Sequence, residues 1–258
     1  MNTFLAEFAS LMWGPWILFL LLGTGCWLTI CLRGIQVRQL FYSLRLTFSK
    51  ERGGEGDISH FGALSTALAA TVGTGNIAGV SAAVALGGPG AIFWMWVTGL
   101  VGMATKYCEG FLAVKYRQVN HRGEISGGPM YYLEKGLGQK WLGVCFAFFG
   151  AVAAFGIGNM VQANTTVHAL NGSLGVSSFF VGGVMMLLTG MVIIGGIKRI
   201  AEVASYLVPF MVLVYFLGAL IVVLNNLDGL GAGIKMILED AFTGTAATGG
   251  FAGASLAS

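Results

Sequence analysis

Between Trp13 and Leu32 the chain runs for 20 residues without a charge, and nothing else in the sequence limits its folding as much. A helix rises 1.5 Å per residue, so this run is about 30 Å long, the thickness of a bilayer's hydrocarbon core. It reads as a membrane-spanning helix. It does not read as a cleaved leader, because Glu7 is the only charge before it and a basic stretch opening at Arg33 follows it as a stop. Only 10% of the 258 residues are charged, against about a quarter in soluble domains, so water is not the main solvent of this chain.

Further apolar runs follow. After Leu32, Arg33, Arg38, Arg45, Lys50 and Arg52 are interleaved with Ile35, Val37, Leu40, Phe41, Leu44 and Phe48 roughly at helical spacing. That pattern predicts a cytoplasmic surface segment over 33–59 lying along the bilayer. Phe61–Leu86, the stretch from Gly90 to about Val114, Trp141–Val167, Val176–Ile197 and Ala201–Leu224 then give five more crossings. Asn171-Gly172-Ser173 and the stretch from Asn225 to Gly229 read as turns, and Lys198 with Arg199 as the close of the fifth crossing. A segment from about Gly231 to Ser258, rich in Gly, Ala and Thr, begins a seventh.

If the crossings alternate, thirteen of the 14 Lys and Arg residues fall on one side and only Lys235 on the other. That excess marks the crowded side as cytoplasmic and predicts an N-terminus outside, in a multi-pass protein of the inner cell membrane. Cys26, Cys31, Cys108 and Cys145 show neither CxxC spacing nor pairing with His and read as small core residues. His60, His121 and His168 are scattered singly. Without a metalloprotease or P-loop motif, the sequence points to no enzyme, no organic cofactor and no nucleic-acid partner. Glu109 with Lys106, and Glu202 with Lys198, read as local ion pairs.

Two crossings carry residues ill suited to a helix in oil. The second contains Ala69-Ala70-Thr71-Val72-Gly73-Thr74-Gly75-Asn76-Ile77-Ala78-Gly79, and the seventh contains Thr243-Gly244-Thr245-Ala246-Ala247-Thr248-Gly249-Gly250-Phe251-Ala252-Gly253. Glycine costs about 1 kcal/mol against alanine inside a helix, so each helix is weakest there. A helix that unwinds in the bilayer frees N–H and C=O groups, each costing roughly 2–7 kcal/mol unless a polar partner arrives. For one such segment alone, a small-xxx-small packing face through Gly75 and Gly79 is the simpler reading. Two interrupted helices five crossings apart point instead to a secondary transporter built from inverted repeats. There, N–H groups at a half-helix N-terminus suit an anionic substrate group and the freed carbonyls suit a cation, so a carboxylate and a sodium ion match the pair.

Four blocks then carry a resemblance: Gly73-Thr74-Gly75-Asn76-Ile77-Ala78-Gly79, Gly87-Gly88-Pro89-Gly90-Ala91-Ile92-Phe93-Trp94-Met95-Trp96, Ser126-Gly127-Gly128-Pro129-Met130-Tyr131-Tyr132, and Gly249-Gly250-Phe251-Ala252-Gly253. In order and separation they resemble the alanine/glycine:cation symporter family, the sodium:alanine symporters. The resemblance implies an all-α polytopic protein with a leucine-transporter-like fold. Residues 13–32 would be an extra helix, 60–229 the first five-helix repeat, and 230–258 the first broken helix of the second, all within one transmembrane domain over 1–258. Family members are longer, so the resemblance further implies missing C-terminal helices of the same polypeptide and no sodium-driven uptake by this stretch alone.

The resemblance also implies roles. Thr74 and Gly75 would offer backbone N–H groups to the carboxylate of alanine or glycine. The Asn76 side chain, with carbonyls of Ala69, Thr71 and Val72, would meet sodium, since hard cations take oxygen ligands. Asn159, Gln162 and Thr166 share one face of the fourth crossing at i, i+3, i+7 spacing. Gln162 would contact the bound amino acid, although an ordinary interhelical hydrogen bond explains such an amide as well. Thr245 and Thr248 would take the substrate amine, and Phe251 would wall off a small side-chain pocket. Sodium-coupled symport into the cell is the function implied, with proton coupling and a channel as alternatives.

Overall fold

The computed structural model describes residues 7–8, 11–12, 14–49, 58–119, 123, 125–243 and 246. It is 83% helical, so the all-α expectation holds. In chain order the helices are α1 (Pro15–Cys31), α2 (Ile35–Arg38), α3 (Leu40–Thr47), α4 (His60–Thr71), α5 (Ala78–Gly87) and α6 (Gly90–Lys115). A two-residue hairpin follows, with β1 (Gln118–Val119) antiparallel to β2 (Ile125–Ser126). Then come α7 (Pro129–Lys135), α8 (Lys140–Ala153), α9 (Val161–Leu174), α10 (Ser178–Ile193), α11 (Gly196–Leu224) and α12 (Leu227–Asp240).

Contacts group the chain into two units. The first comprises Met1–Ser43, Gly75–Glu109 and Leu217–Ser258. Pro15 opens α1, where a missing N–H costs nothing. The helix closes as Leu32 N–H donates to Leu28 O and Gly34 N–H to Thr29 O, both within 2.9 Å. Arg33 and Gly34 both take left-handed backbone, at φ +52° and +64°. Gly25 is buried, and a Cβ there would collide with Val101, so α1 and α6 meet at a backbone-close point.

The second unit comprises Leu44–Thr74 and Gly110–Phe216. Ser59 caps α4 by accepting from Gly62 N–H at 3.0 Å. Gly62 then lies against α11, where a Cβ would sit 3.7 Å from both Ala201 Cβ and Ser205 Oγ. Small residues thus let two backbones approach where lipid offers no hydrophobic drive. Gly143 of α8 presses on α7, with its Cβ position 2.6 Å from Met130 O. Pro209 within α11 frees the Ser205 carbonyl from the ladder.

By length and apolarity α11 qualifies to cross a bilayer alone, as does the 35-residue stretch Lys140–Leu174, and α4 with α5 makes a third crossing if taken together. Phe19–Cys31 and α10 are shorter apolar helices. Among the described residues fewer helices meet the full length than the sequence runs imply. At 16 residues α10 is about 24 Å long, and α6 carries Lys106, Glu109 and Lys115 in its last turns.

Several local expectations are corrected. Asn171, Gly172 and Ser173 lie inside α9 rather than in a loop, and the turn falls at Gly175 (φ +65°). There Asn171 serves the helix end, its carbonyl accepting from Gly175 N–H and its Nδ2 donating to Val176 O, both at 2.9 Å. Lys198 and Arg199 sit in the first turn of α11, because left-handed Gly196 (φ +69°) breaks the chain before them. Leu227 to Asp240 is one helix, with Asp228, Lys235, Glu239 and Asp240 among its apolar residues, so Leu227–Gly229 opens a helix rather than belonging to a turn. Cys26, Cys31 and Cys145 are exposed and Cys108 half-buried, so the cysteines are not core residues. Lys106 pairs with Glu109 at 2.9 Å, whereas no pair joins Lys198 to Glu202 among the described residues.

Candidate functional site

The expected break in the second apolar run is present. The α4 ladder ends with Val72 N–H donating to Leu68 O at 2.7 Å, and it resumes in α5 with Ser81 N–H donating to Ile77 O at 3.1 Å. Between them Val72 is extended (φ −85°, ψ 107°) and Thr74–Asn76 forms one tight turn. The residue types account for this. Gly73 and Gly75 flank Thr74, and Gly79 is the next glycine, so no strong helix former bridges the gap.

The two ends facing the break are chemically opposite. The last carbonyls of α4, from Leu68 onward, lie at the negative end of a helix, and Ala69, Thr71 and Val72 belong to this stretch. At the other side α5 opens at Ile77 with no side-chain cap. The outer end of α4, by contrast, is capped by Ser59.

One side chain answers the break from far along the chain. Gln162 Oε1 accepts from Thr74 N–H at 3.2 Å and from Thr74 Oγ1 at 3.0 Å. Its amide lies on the bare Cα of Gly73, where a Cβ would meet Oε1 at 3.1 Å and Nε2 at 3.2 Å. Thr74 and Gln162 are both half-buried. A backbone N–H left unpaired in an apolar medium costs about 2–7 kcal/mol, whereas an interhelical side-chain bond contributes about 1 kcal/mol. The contact therefore matters more for satisfying Thr74 than for holding helices together.

Gln162 reaches Thr74 from the second position of α9, two residues after a segment the sequence reading missed. Ala154–Met160 winds as a π-helix, wider than the α-helices on either side. Such a segment changes the phase of the helix, and the shared face expected for Asn159, Gln162 and Thr166 does not hold. Asn159 is exposed within the π turn, while Gln162 and Thr166 are half-buried and Thr166 Oγ1 donates to Gln162 O at 2.9 Å. The available signal was Gly156 and Gly158, two glycines in an otherwise apolar run.

Gly75 is half-buried and Asn76 exposed, both in the tight turn. Ala69 and Thr71 are exposed on the last turn of α4, with the Thr71 hydroxyl donating to Ala67 O at 2.8 Å. Thr245, Thr248 and Phe251 lie outside the described residues. Among the described residues no group of three His, Cys, Asp or Glu gathers as metal ligands. What the break offers an ion is neutral oxygen, from carbonyls and an amide.

The profile of the Sodium:alanine symporter family matches residues 1–258. The sodium/alanine symporter AgcS of Methanococcus maripaludis is 52% identical over 253 residues, covering 96% of this chain and 56% of that protein. The putative sodium/proton-dependent alanine carrier protein YrbD of Bacillus subtilis is 42% identical, covering 98% of this chain and 52% of that protein. The probable sodium/glutamine symporter GlnT of Bacillus subtilis is 37% identical, covering 96% and 52%. The chain spans about half the length of the curated relatives it matches.

Proposed function

The chain belongs to the sodium:alanine symporter family, and from that premise we propose that it carries one side of the substrate site of a sodium-coupled symporter for a small neutral amino acid, alanine or glycine. The observation that carries this reading is the pairing of Gln162 with Thr74 at the helix break. The Gln162 oxygen holds donors on Thr74 that suit a carboxylate. An incoming amino acid exchanges with it, its carboxylate taking the N–H groups of Thr74 and Gly75 while the Gln162 amide turns to the substrate. Sodium sits beside that carboxylate on the carbonyls of Ala69, Thr71 and Val72 and the Asn76 side-chain oxygen. Neutral oxygens suit sodium, which needs charge compensation only from its co-substrate. Thr245 and Thr248 receive the substrate amine from the second interrupted segment, and Phe251 limits the size of the side chain admitted.

The same proposal takes the fold as leucine-transporter-like, with 13–32 as an extra helix, 33–59 on the cytoplasmic surface, 60–229 as the first repeat and 230–258 opening the second. The N-terminus lies outside and the basic loops face the cytoplasm of a multi-pass inner-membrane protein. The test is uptake of labelled alanine by the intact protein in liposomes at constant pH, with and without a sodium gradient. Saturable, sodium-dependent uptake is expected, and uptake indifferent to sodium overturns the coupling. Proton coupling is the second reading, favoured by the printed name of YrbD as a sodium/proton-dependent carrier. A proton gradient imposed without sodium tests it.

A further inference from the structure

Beyond the end of α1 the short helices α2 and α3 follow each other almost without interruption. Gln39 N–H donates to Ile35 O and Ser43 N–H to Gln39 O, both at 2.9 Å, so the helical ladder carries across their junction. The start of this stretch is tied back to α1. Gln36 Nε2 donates to Thr29 Oγ1 at 3.0 Å, and Thr29 Oγ1 donates to Gly25 O at 2.8 Å. Thr29 lies in the last turn of α1, so α2 begins at the level where the first apolar helix ends.

Two sides of the stretch differ in chemistry. Val37, Phe41, Leu44 and Phe48 recur at i, i+4, i+7 and i+11, the spacing of one helical face, and they are 65%, 82%, 47% and 69% exposed. An apolar stripe so open needs a cover. Along one flank of it stand Arg38 and Arg45, both exposed, with exposed Tyr42 between them. Seven residues of helix set the two arginines about 10 Å apart. Neither pairs with a carboxylate among the described residues, and no Asp or Glu occurs from Arg33 to Ser49. Two guanidinium groups without a counter-charge, next to an open apolar stripe, match the boundary where acyl chains meet phosphate.

We propose that α2 and α3 form a binding surface for anionic phospholipid of the cytoplasmic leaflet. Val37, Phe41, Leu44 and Phe48 lie among the upper acyl chains. Arg38 and Arg45 take phosphate oxygens, which the planar guanidinium fork fits better than an ammonium does. Tyr42 sets an amphipathic ring at the same level. A zwitterionic headgroup brings its own cation, so phosphatidylglycerol, whose phosphate is its only charge, should be held in preference to phosphatidylcholine. A nucleic acid would answer the arginines and leave the stripe wet. The surface rests on the proposed placement of 33–59 at the cytoplasmic face and is independent of which amino acid is carried.

The test uses the intact protein in phosphatidylcholine liposomes, with the native cysteines replaced and bimane attached at Leu40→Cys, at the edge of the stripe. Quenching is followed with potassium iodide in the water and with phosphatidylglycerol or phosphatidylcholine carrying a spin label on the acyl chain. Labelled phosphatidylglycerol is expected to quench at a lower mole fraction than labelled phosphatidylcholine. Arg38→Gln and Arg45→Gln should each raise the phosphatidylglycerol fraction needed about fivefold and leave the phosphatidylcholine curve where it is. Both side chains are exposed, so neither variant disturbs a packed contact. Quenching by iodide and by neither lipid overturns the surface placement and the proposal with it. Equal quenching by the two lipids, or a phosphatidylglycerol curve unmoved when both arginines are replaced, leaves the placement standing and overturns the proposal alone.

Discussion

Gln162 is asked to do with one oxygen what a helix does with its next turn. It accepts twice from Thr74 and lies on a residue without a side chain. Gln162→Ala therefore removes the acceptor of a backbone donor and a proposed substrate contact together. The KM for alanine at fixed sodium should rise about tenfold, the value of one or two such bonds. An unchanged KM removes Gln162 from the site. Gly73→Ala acts more gently, since its Cβ would stand 3.1–3.4 Å from the amide and push it by a few tenths of an ångström; a rise of about two- to fivefold is expected on the same scale. Thr74 and Gln162 were legible in the sequence because polar residues inside uncharged runs need a reason to be there. Asp240 and Trp94 were not. Asp240 stands at the end of an amphipathic helix, where an acid is unremarkable, and the Gly90 N–H from which its Oδ2 accepts lies 150 residues away; Trp94 Nε1 in turn donates to Ala241 O.

At the scale of elements, the apolar runs located the helices and the glycines located the break, but helix ends depended on chemistry that composition does not reveal. Asn171 looked like a loop residue and turned out to serve a helix end. The π segment shifted the face on which Asn159 was expected, because sequence spacing assumes one winding throughout. Glycines within a single helix also divide by what they touch. Gly143 presses on the Met130 carbonyl, where an added Cβ would stand at 2.6 Å, while Gly150 in the same helix has nothing within 4 Å. Gly143→Ala should cost about 1–3 kcal/mol by forcing α7 and α8 apart. Gly150→Ala should leave stability unchanged or raise it by up to about 1 kcal/mol. Thermal unfolding of the two variants in one detergent checks the contrast, and equal midpoints would mean that the α7–α8 approach is not tight.

For the whole molecule, the proposed orientation makes a prediction that needs no transport. With the four native cysteines replaced, a cysteine at Gln118 or Gln139 should resist a membrane-impermeant maleimide added outside cells, while one at Gly175 or Asn226 should react. The reverse pattern would invert the topology drawn from the basic residues. That topology begins with the first helix, and the way this helix stops has a consequence of its own. Two consecutive left-handed residues, Arg33 and Gly34, end α1, so the helix stops by the handedness of its backbone at the same place where the charged residues begin. A residue at Gly34 that resists left-handed geometry would favour running α1 onward into α2 and carry Arg38 and Arg45 along on one continuous helix.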